Sequence, residues 1–195
     1  MVKKHSTKTK ILIHLLNNKR NKFTIRAISK AVKIDYKTVY MNVNELIKDN
    51  TIVSEKAGQT TLCTINFKNF NEDMFTAEFV RTKSILKNSN FYSMMSYFSE
   101  IRPFYIMLLF GSFASGKQHK NSDIDIMVIS DNEDIKKRFN DQIRLIPLKI
   151  HYLEFSSNDF IRMLKTNEFT VVREAFLNNI ILSGIENYYE LVKNA

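Results

Sequence analysis

The sequence predicts an α+β protein of two domains, residues 1–70 and 71–195. Three observations predict it. Apolar residues recur at helical spacing from Ile11 to Ile47, and an alternating, hairpin-like stretch follows. A second pair of strand-like runs, 104–110 and 124–129, flanks a short glycine-containing turn. The charge is split: residues 1–70 hold 14 Lys and Arg against 4 Asp and Glu, and residues 71–195 hold 15 against 16. The whole basic excess lies in the first third, which points to one nucleic-acid-binding module and one module of another kind.

In the first domain, Ile11, Leu12, Leu15 and Leu16 predict a helix over about 7–19. Thr24 can cap a second helix with Ile25, Ile28 and Val32 inside. Asp35 can cap a third, over 36–49, with Val39, Val43, Leu46 and Ile47 inward. Residues 51–65 read as two strands joined at Ala57-Gly58-Gln59. The polar stretch 66–71 makes the junction.

In the second domain, 72–88 and 90–101 read as helices, and Pro103 ends the second of them. The run 104–110 predicts a buried strand. Beyond the turn, Ile124, Ile126 and Val128 alternate with Asp123, Asp125 and Met127, as in a half-buried strand. A helix from the Asp131-Asn-Glu-Asp cap to about Leu145 follows, then a strand over 148–155. Ser156 and Ser157 open another helix, 171–179 a further one, and the apolar run before Gly184 leads into a last helix.

Four glycines, two prolines and 44% apolar residues fit a packed core. The single Cys63 excludes an internal disulfide and fits a reducing compartment. No apolar run reaches transmembrane length, and Met1-Val-Lys-Lys-His-Ser6 is followed by no apolar signal core. The expectation is a cytoplasmic protein without a membrane partner.

The chemistry concentrates in Phe110-Gly-Ser-Phe-Ala-Ser-Gly-Lys-Gln-His-Lys-Asn-Ser-Asp-Ile-Asp-Ile-Met-Val-Ile129. Alternate strand residues share a face, so Asp123 and Asp125 project together. Paired carboxylates repel unless neutralised, and a divalent cation that also binds substrate phosphates does this. Gly111 lets the backbone approach a ligand, and Ser112 offers a hydroxyl to an anion. An acid pair on a wet strand face is common by itself; the full string of strand, Gly-Ser, ten residues, Ser-Asp-x-Asp and strand is far more specific.

This arrangement resembles the nucleotidyltransferase superfamily of polymerase β type, especially its minimal prokaryotic members, and the match is complete at Gly111, Ser112, Asp123 and Asp125. The resemblance implies a small mixed sheet with flanking helices. It implies transfer of a nucleoside monophosphate from a nucleoside triphosphate with Mg²⁺ or Mn²⁺. Asp123 and Asp125 are then metal ligands and catalytic residues, and Gly111, Ser112, Lys117 and Ser122 bind the nucleotide. Such sites usually add a third carboxylate from the neighbouring strand, where Glu154 is the only acid and His151 stands where many members have aspartate. Many minimal members also have arginine where Ser115 stands, and Lys117 can supply that charge.

Residues 23–40, with the hairpin after them, resemble a winged helix-turn-helix domain. Lys33 stands where that family often has glycine. The resemblance implies a third helix entering the major groove, with Tyr36, Lys37, Thr38, Tyr40 and Asn42 towards DNA, Lys30 and Lys33 near phosphates and Lys56 on the wing. It also makes a homodimer the expected form.

Four readings follow. The first is an enzyme acting on a protein or RNA acceptor, the protein acceptor being of the helical-toxin kind that the minimal family pairs with as antitoxin. The others are a transcription regulator that senses a nucleotide without catalysis, a docking protein, and a toxin that adds nucleotides to RNA.

Overall fold

The computed structural model describes residues 5–102, 104–166 and 168–193. Contacts divide the chain into two compact units, 1–79 and 80–195.

In the first unit, α1 (Thr7–Leu16) starts where the Ser6 hydroxyl accepts the Thr9 amide at 3.1 Å. It buries Ile11, Leu12, Leu15 and Leu16, the predicted apolar stripe. A two-residue strand β1 (Phe23–Thr24) precedes α2 (Ile25–Val32), and Thr24 caps that helix by accepting the Ala27 amide at 3.1 Å. Asp35 caps α3 (Tyr36–Lys48) through the Thr38 amide at 2.9 Å, and backbone and side-chain hydrogen bonds from Thr38 hold its carboxyl below the usual range. Then β2 (Ile52–Ala57) and β3 (Thr60–Ile65) pair antiparallel, from Ile52 opposite Ile65 to Ala57 opposite Thr60. The sheet order is β1-β3-β2. Phe23 pairs with Cys63, which brings the start of α2 onto the hairpin. Cys63 is fully buried and its thiol is pushed up by burial, so its role is packing. The polar stretch 66–71 is tied into this unit: Asn71 donates to Thr51 Oγ1 at 2.6 Å and Asn69 to the Asp49 carbonyl at 2.8 Å.

Lys33 ends α2 with φ 56° and ψ 45°, the left-handed conformation. The turn between α2 and α3 thus takes the backbone geometry that glycine adopts most easily, with a lysine in it.

A long helix α4 (Glu72–Ile85) crosses the division at Phe79/Val80. The second unit continues with α5 (Ser89–Tyr97), β4 (Ile106–Phe110), α6 (Gly111–Ala114), β5 (Ile124–Ile129), α7 (Glu133–Ile143) and β6 (Ile150–Phe155). It ends with α8 (Ser157–Lys165), α9 (Val171–Leu177), β7 (Asn179–Ser183) and α10 (Ile185–Val192). The sheet order is β6-β5-β4-β7. β4 runs antiparallel to β5 and β7, whereas β5 and β6 are parallel, so the sheet is mixed.

One sheet face presents Met107, Leu109, Ile124, Ile126 and Val128 to Phe91 and Met94 of α5, to Phe98, and to Ile135 and Phe139 of α7. At roughly 25 cal/mol per Å² of buried apolar area, these aromatic side chains dominate the stabilisation of that layer.

Three expectations are corrected. The first strand of this sheet starts at Ile106, because Phe104 is 82% exposed and Tyr105 is outside the ladder; Pro103 lies outside the described residues. The 148–155 strand starts at Ile150. The helix expected over 171–179 stops at Leu177, because Asn179 opens β7. Asn179 is fully buried, and its amide donates to the Ala175 carbonyl at 2.7 Å and the Tyr188 hydroxyl at 2.9 Å. Those bonds satisfy a polar group that burial would otherwise penalise.

Candidate active site

The apolar run of β4 ends at Phe110, which stands opposite Asp125 in the antiparallel ladder. The next residue, Gly111, has φ +67° and turns the chain at once into α6. A Cβ there would lie 2.1 Å from Asp125 Oδ2. Only glycine therefore lets this backbone pass against the carboxylate without displacing it.

On the other side of Asp125, the parallel strand β6 puts His151 in register with it. Laterally paired residues point to the same face, and His151 Nδ1 lies 3.0 Å from Asp125 Oδ1. A carboxylate only accepts, so the imidazole Nδ1–H donates. The Asp125 side chain is 23% exposed and that of His151 54%. Asp123 is exposed and immediately precedes β5, two positions before Asp125.

Glu154 does not join this group, which corrects its expected catalytic role. It pairs with Val128, whose side chain belongs to the apolar face. Its carboxylate accepts from Asn140 Nδ2 at 2.9 Å and from the Tyr152 hydroxyl at 3.0 Å. Burial, with the charge of Glu154 and the hydrogen bond to it, pushes the Tyr152 phenol far above its usual range, so Tyr152 stays a donor. The period of a strand is two, and an acid three positions from His151 must face the other way.

The loop after α6 shows how the remaining predicted residues are held. The Lys117 amide donates to the Ser112 carbonyl at 2.9 Å, and the Lys117 side chain stands in solvent. Ser122 Oγ accepts the His119 amide at 2.8 Å, which shapes the turn before Asp123. Ser112 is half-buried at the start of α6.

Among the described residues, no group of three or more His, Cys, Asp and Glu side chains is arranged to hold a metal. The carboxylates of Asp123 and Asp125 nevertheless fit Mg²⁺ or Mn²⁺ in the manner of sites that use one or two acids plus substrate phosphates. The close pass of Gly111 over Asp125 leaves that carboxylate accessible next to a backbone without a side chain.

In the first unit, Lys30, Lys33, Tyr36, Lys37, Tyr40 and Lys56 are exposed. Tyr36 and Tyr40 lie one turn apart on α3 with ring centroids 5.9 Å apart, and Met41 beside them is 55% exposed. Thr38 and Asn42 are half-buried, and Asn42 Nδ2 donates to the Thr38 carbonyl at 2.8 Å, so part of its hydrogen-bonding capacity is used within the helix.

Residues 94–187 match the family model described as "Polymerase beta, Nucleotidyltransferase". That stretch contains β4, α6, β5 and β6, and with them Gly111, Asp125 and His151; it is similar to a nucleotidyltransferase domain. No curated protein matches the chain. One solved structure, described as "Crystal structure of the toxin-antitoxin with AMP-PNP", aligns with TM-score 0.35 and 20% identity over 53% of this chain and 80% of that one. No helix among the described residues is long and apolar enough to cross a membrane.

Sequence reasoning named Asp123, Asp125, Gly111 and Ser112 from their spacing, offered Glu154 as third carboxylate because it is the only acid of the neighbouring strand, and put His151 where many members have aspartate. That Glu154 faces the other way and that His151 lies directly beside Asp125 both follow from the register of β5 with β6, which no local pattern carries.

Proposed function

We propose that the protein is a metal-dependent nucleotidyltransferase that moves a nucleoside monophosphate from a nucleoside triphosphate to a hydroxyl of a protein or RNA acceptor. The observation that carries this is the bare Gly111 backbone laid against the Asp125 carboxylate within the segment that matches the nucleotidyltransferase model. Mg²⁺ or Mn²⁺, when bound, neutralises the triphosphate and stabilises the charge of an in-line displacement. Asp123 and Asp125 hold that ion. The Gly111 backbone and the Ser112 hydroxyl receive phosphate oxygens, Ser122 shapes the loop that carries them, and Lys117 meets their charge. In the reaction the acceptor oxygen bonds to the α-phosphorus, the bond from that phosphorus to the bridging oxygen breaks, pyrophosphate leaves, and the hydroxyl proton passes to solvent.

Residues 1–70, in this reading, form a winged helix-turn-helix domain that ties the enzyme to DNA. Lys30, Lys33, Lys37 and Lys56 meet phosphates while Tyr36, Thr38, Tyr40 and Asn42 face base edges. The protein acts in the cytoplasm as a homodimer on paired half-sites, and a protein acceptor is of the helical-toxin kind that the resemblance implies. A second reading is favoured by one specific observation, the turning of Glu154 to the opposite face. With no third acid beside Asp125, the site would bind nucleotide and metal as a sensor that alters DNA affinity without transfer.

Incubation of the full chain with each labelled nucleoside triphosphate, Mg²⁺ or Mn²⁺, and whole-cell lysate tests the proposal. Label should move to protein or RNA, and Asp125→Asn should reduce transfer by roughly 10²-fold or more while circular dichroism stays unchanged. Absence of transfer with any triphosphate, alongside a nucleotide-dependent shift in DNA affinity, would establish the sensor instead. Nucleotide affinity indifferent to both metal and Asp125→Asn would end both readings.

A further inference from the structure

The two edges of the second unit's sheet, β7 and β6, differ. On β7 the carbonyls of Asn179 and Ile181 accept from the Arg81 guanidinium and the Thr82 hydroxyl of α4, so side chains cover that edge. On β6 the Lys149 carbonyl accepts the Ile124 amide at 2.8 Å and the Phe155 carbonyl accepts the Ser130 amide at 3.0 Å. Backbone direction alternates along a strand, so residues 149, 151, 153 and 155 turn towards β5, and Ile150, Tyr152 and Glu154 turn their N–H and C=O groups outward. No hydrogen bond among the described residues meets those outward groups. No residue of β6 is fully buried, whereas β4 is buried throughout.

We propose that the acceptor is a polypeptide, and that an extended segment of it adds to this sheet as a strand along β6. This rests on the reading of the chain as a nucleotidyltransferase, and it chooses between the protein and the RNA acceptor.

The edge itself favours a polypeptide. An open strand edge is a template for another strand, whose donors and acceptors recur at the same two-residue spacing. Phosphate oxygens of RNA can accept from the outward amides but leave the carbonyls between them unmet. The edge also adjoins the site, because His151 is the lateral neighbour of Asp125. Neighbouring strands lie about 4.8 Å apart, so a residue added opposite His151 stands about 9.6 Å from Asp125 with its side chain on the same face. A hydroxyl carried there points across His151 towards Asp125. Lys149, exposed just before β6, makes no ion pair among the described residues, and an acidic residue beside that hydroxyl complements its charge.

The test uses the full chain, labelled nucleoside triphosphates, Mg²⁺ and whole-cell lysate, with label followed separately in protein and in RNA. Label should enter protein. Ile150→Pro and Glu154→Pro each remove one outward amide, at positions where an edge strand admits proline, and should cut transfer to protein by roughly tenfold, the scale of one lost hydrogen bond whose partner is left unpaired. Glu154→Gln keeps the amide and should transfer within a few-fold of the wild type. Nucleotide affinity of the proline variants, measured by calorimetry, should stay within a few-fold, which separates a lost acceptor from a lost site. Lys149→Glu should weaken transfer as well; unchanged transfer there would remove the acidic neighbour from the proposal. Should the proline variants not fold, amide hydrogen exchange of the wild type decides: residues 150–155 should gain protection when the protein that took the label is added back, purified, with a non-hydrolysable triphosphate analogue. Transfer to protein that survives both proline changes, no gain in protection, or label in RNA alone would overturn the docking mode and leave the nucleotidyltransferase standing. No transfer from any triphosphate would overturn it together with the function on which it rests.

Discussion

Glu154 and His151 lie three positions apart on β6 and serve opposite faces of the sheet. His151 donates to Asp125, whereas Glu154 anchors Asn140 of α7 and the Tyr152 hydroxyl. The removal of the Glu154 charge should therefore leave the chemistry alone. Glu154→Gln is expected to keep nucleotide affinity and transfer within a few-fold of the wild type, far from the 10²-fold or greater loss typical of a missing general base. A loss of that size in a steady-state transfer assay, with the fold intact, would show that the acid reaches the reacting groups after all. Spacing along the chain made Glu154 the natural candidate, as the only acid of its strand. The ladder shows why it is not: side-chain direction alternates, so an odd separation from the correct position is fatal to the role.

At the scale of an element, the turn between α2 and α3 carries Lys33 at φ 56°. The preceding helix closes on it through the Ile34 amide to the Ser29 carbonyl at 3.2 Å and the Ser29 hydroxyl to the Ile34 carbonyl at 2.8 Å. A side chain in this conformation brings Cβ near the following carbonyl, a cost of about 1–2 kcal/mol that glycine avoids. Part of that gain is returned, because glycine is freer in the unfolded chain. Lys33→Gly is expected to stabilise the protein by roughly 0.5–1 kcal/mol, read as a higher midpoint in urea denaturation. A lower midpoint would mean that the lysine side chain makes a contribution larger than its backbone strain. Helix starts were the most legible elements of this chain: Thr24, Asp35 and Ser156 all cap as their sequence context predicts. Helix ends and short strands were less so. β1 is two residues long and exists only because Phe23 and Thr24 find partners on β3. β7 reads as part of a helix and its tail until it is paired with β4.

Across the whole molecule, the charge is distributed as two modules of different kind, a strongly basic first third and a nearly neutral remainder. The exposed lysines of α2 and α3 and the Tyr36–Tyr40 pair give the first unit a surface on which a DNA backbone could be held. If about five phosphates are neutralised, the logarithm of affinity for duplex DNA should fall with the logarithm of salt at a slope of about −4 to −5. The combined change Lys30→Gln and Lys37→Gln should flatten that slope by about 2 in a fluorescence-anisotropy titration of the full chain, since each phosphate contact contributes about 0.9. A slope near zero in the wild type would favour protein docking as the work of the first unit.

The amino-acid sequence by itself determined what depends on neighbours along the chain. Helical stripes, caps, the β2–β3 hairpin and the spacing of Gly111, Ser112, Asp123 and Asp125 all follow from periodicities of a few residues, and each stands where that reasoning puts it. What only the tertiary structure decided depends on partners far apart in sequence. The parallel pairing of β5 with β6 put His151 beside Asp125 and turned Glu154 away, and the pairing of β4 with β7 claimed Asn179 for a strand. The physical reason is that a strand's own pattern sets which residues share a face, but the hydrogen-bonded register with its neighbour sets which of them meet across it.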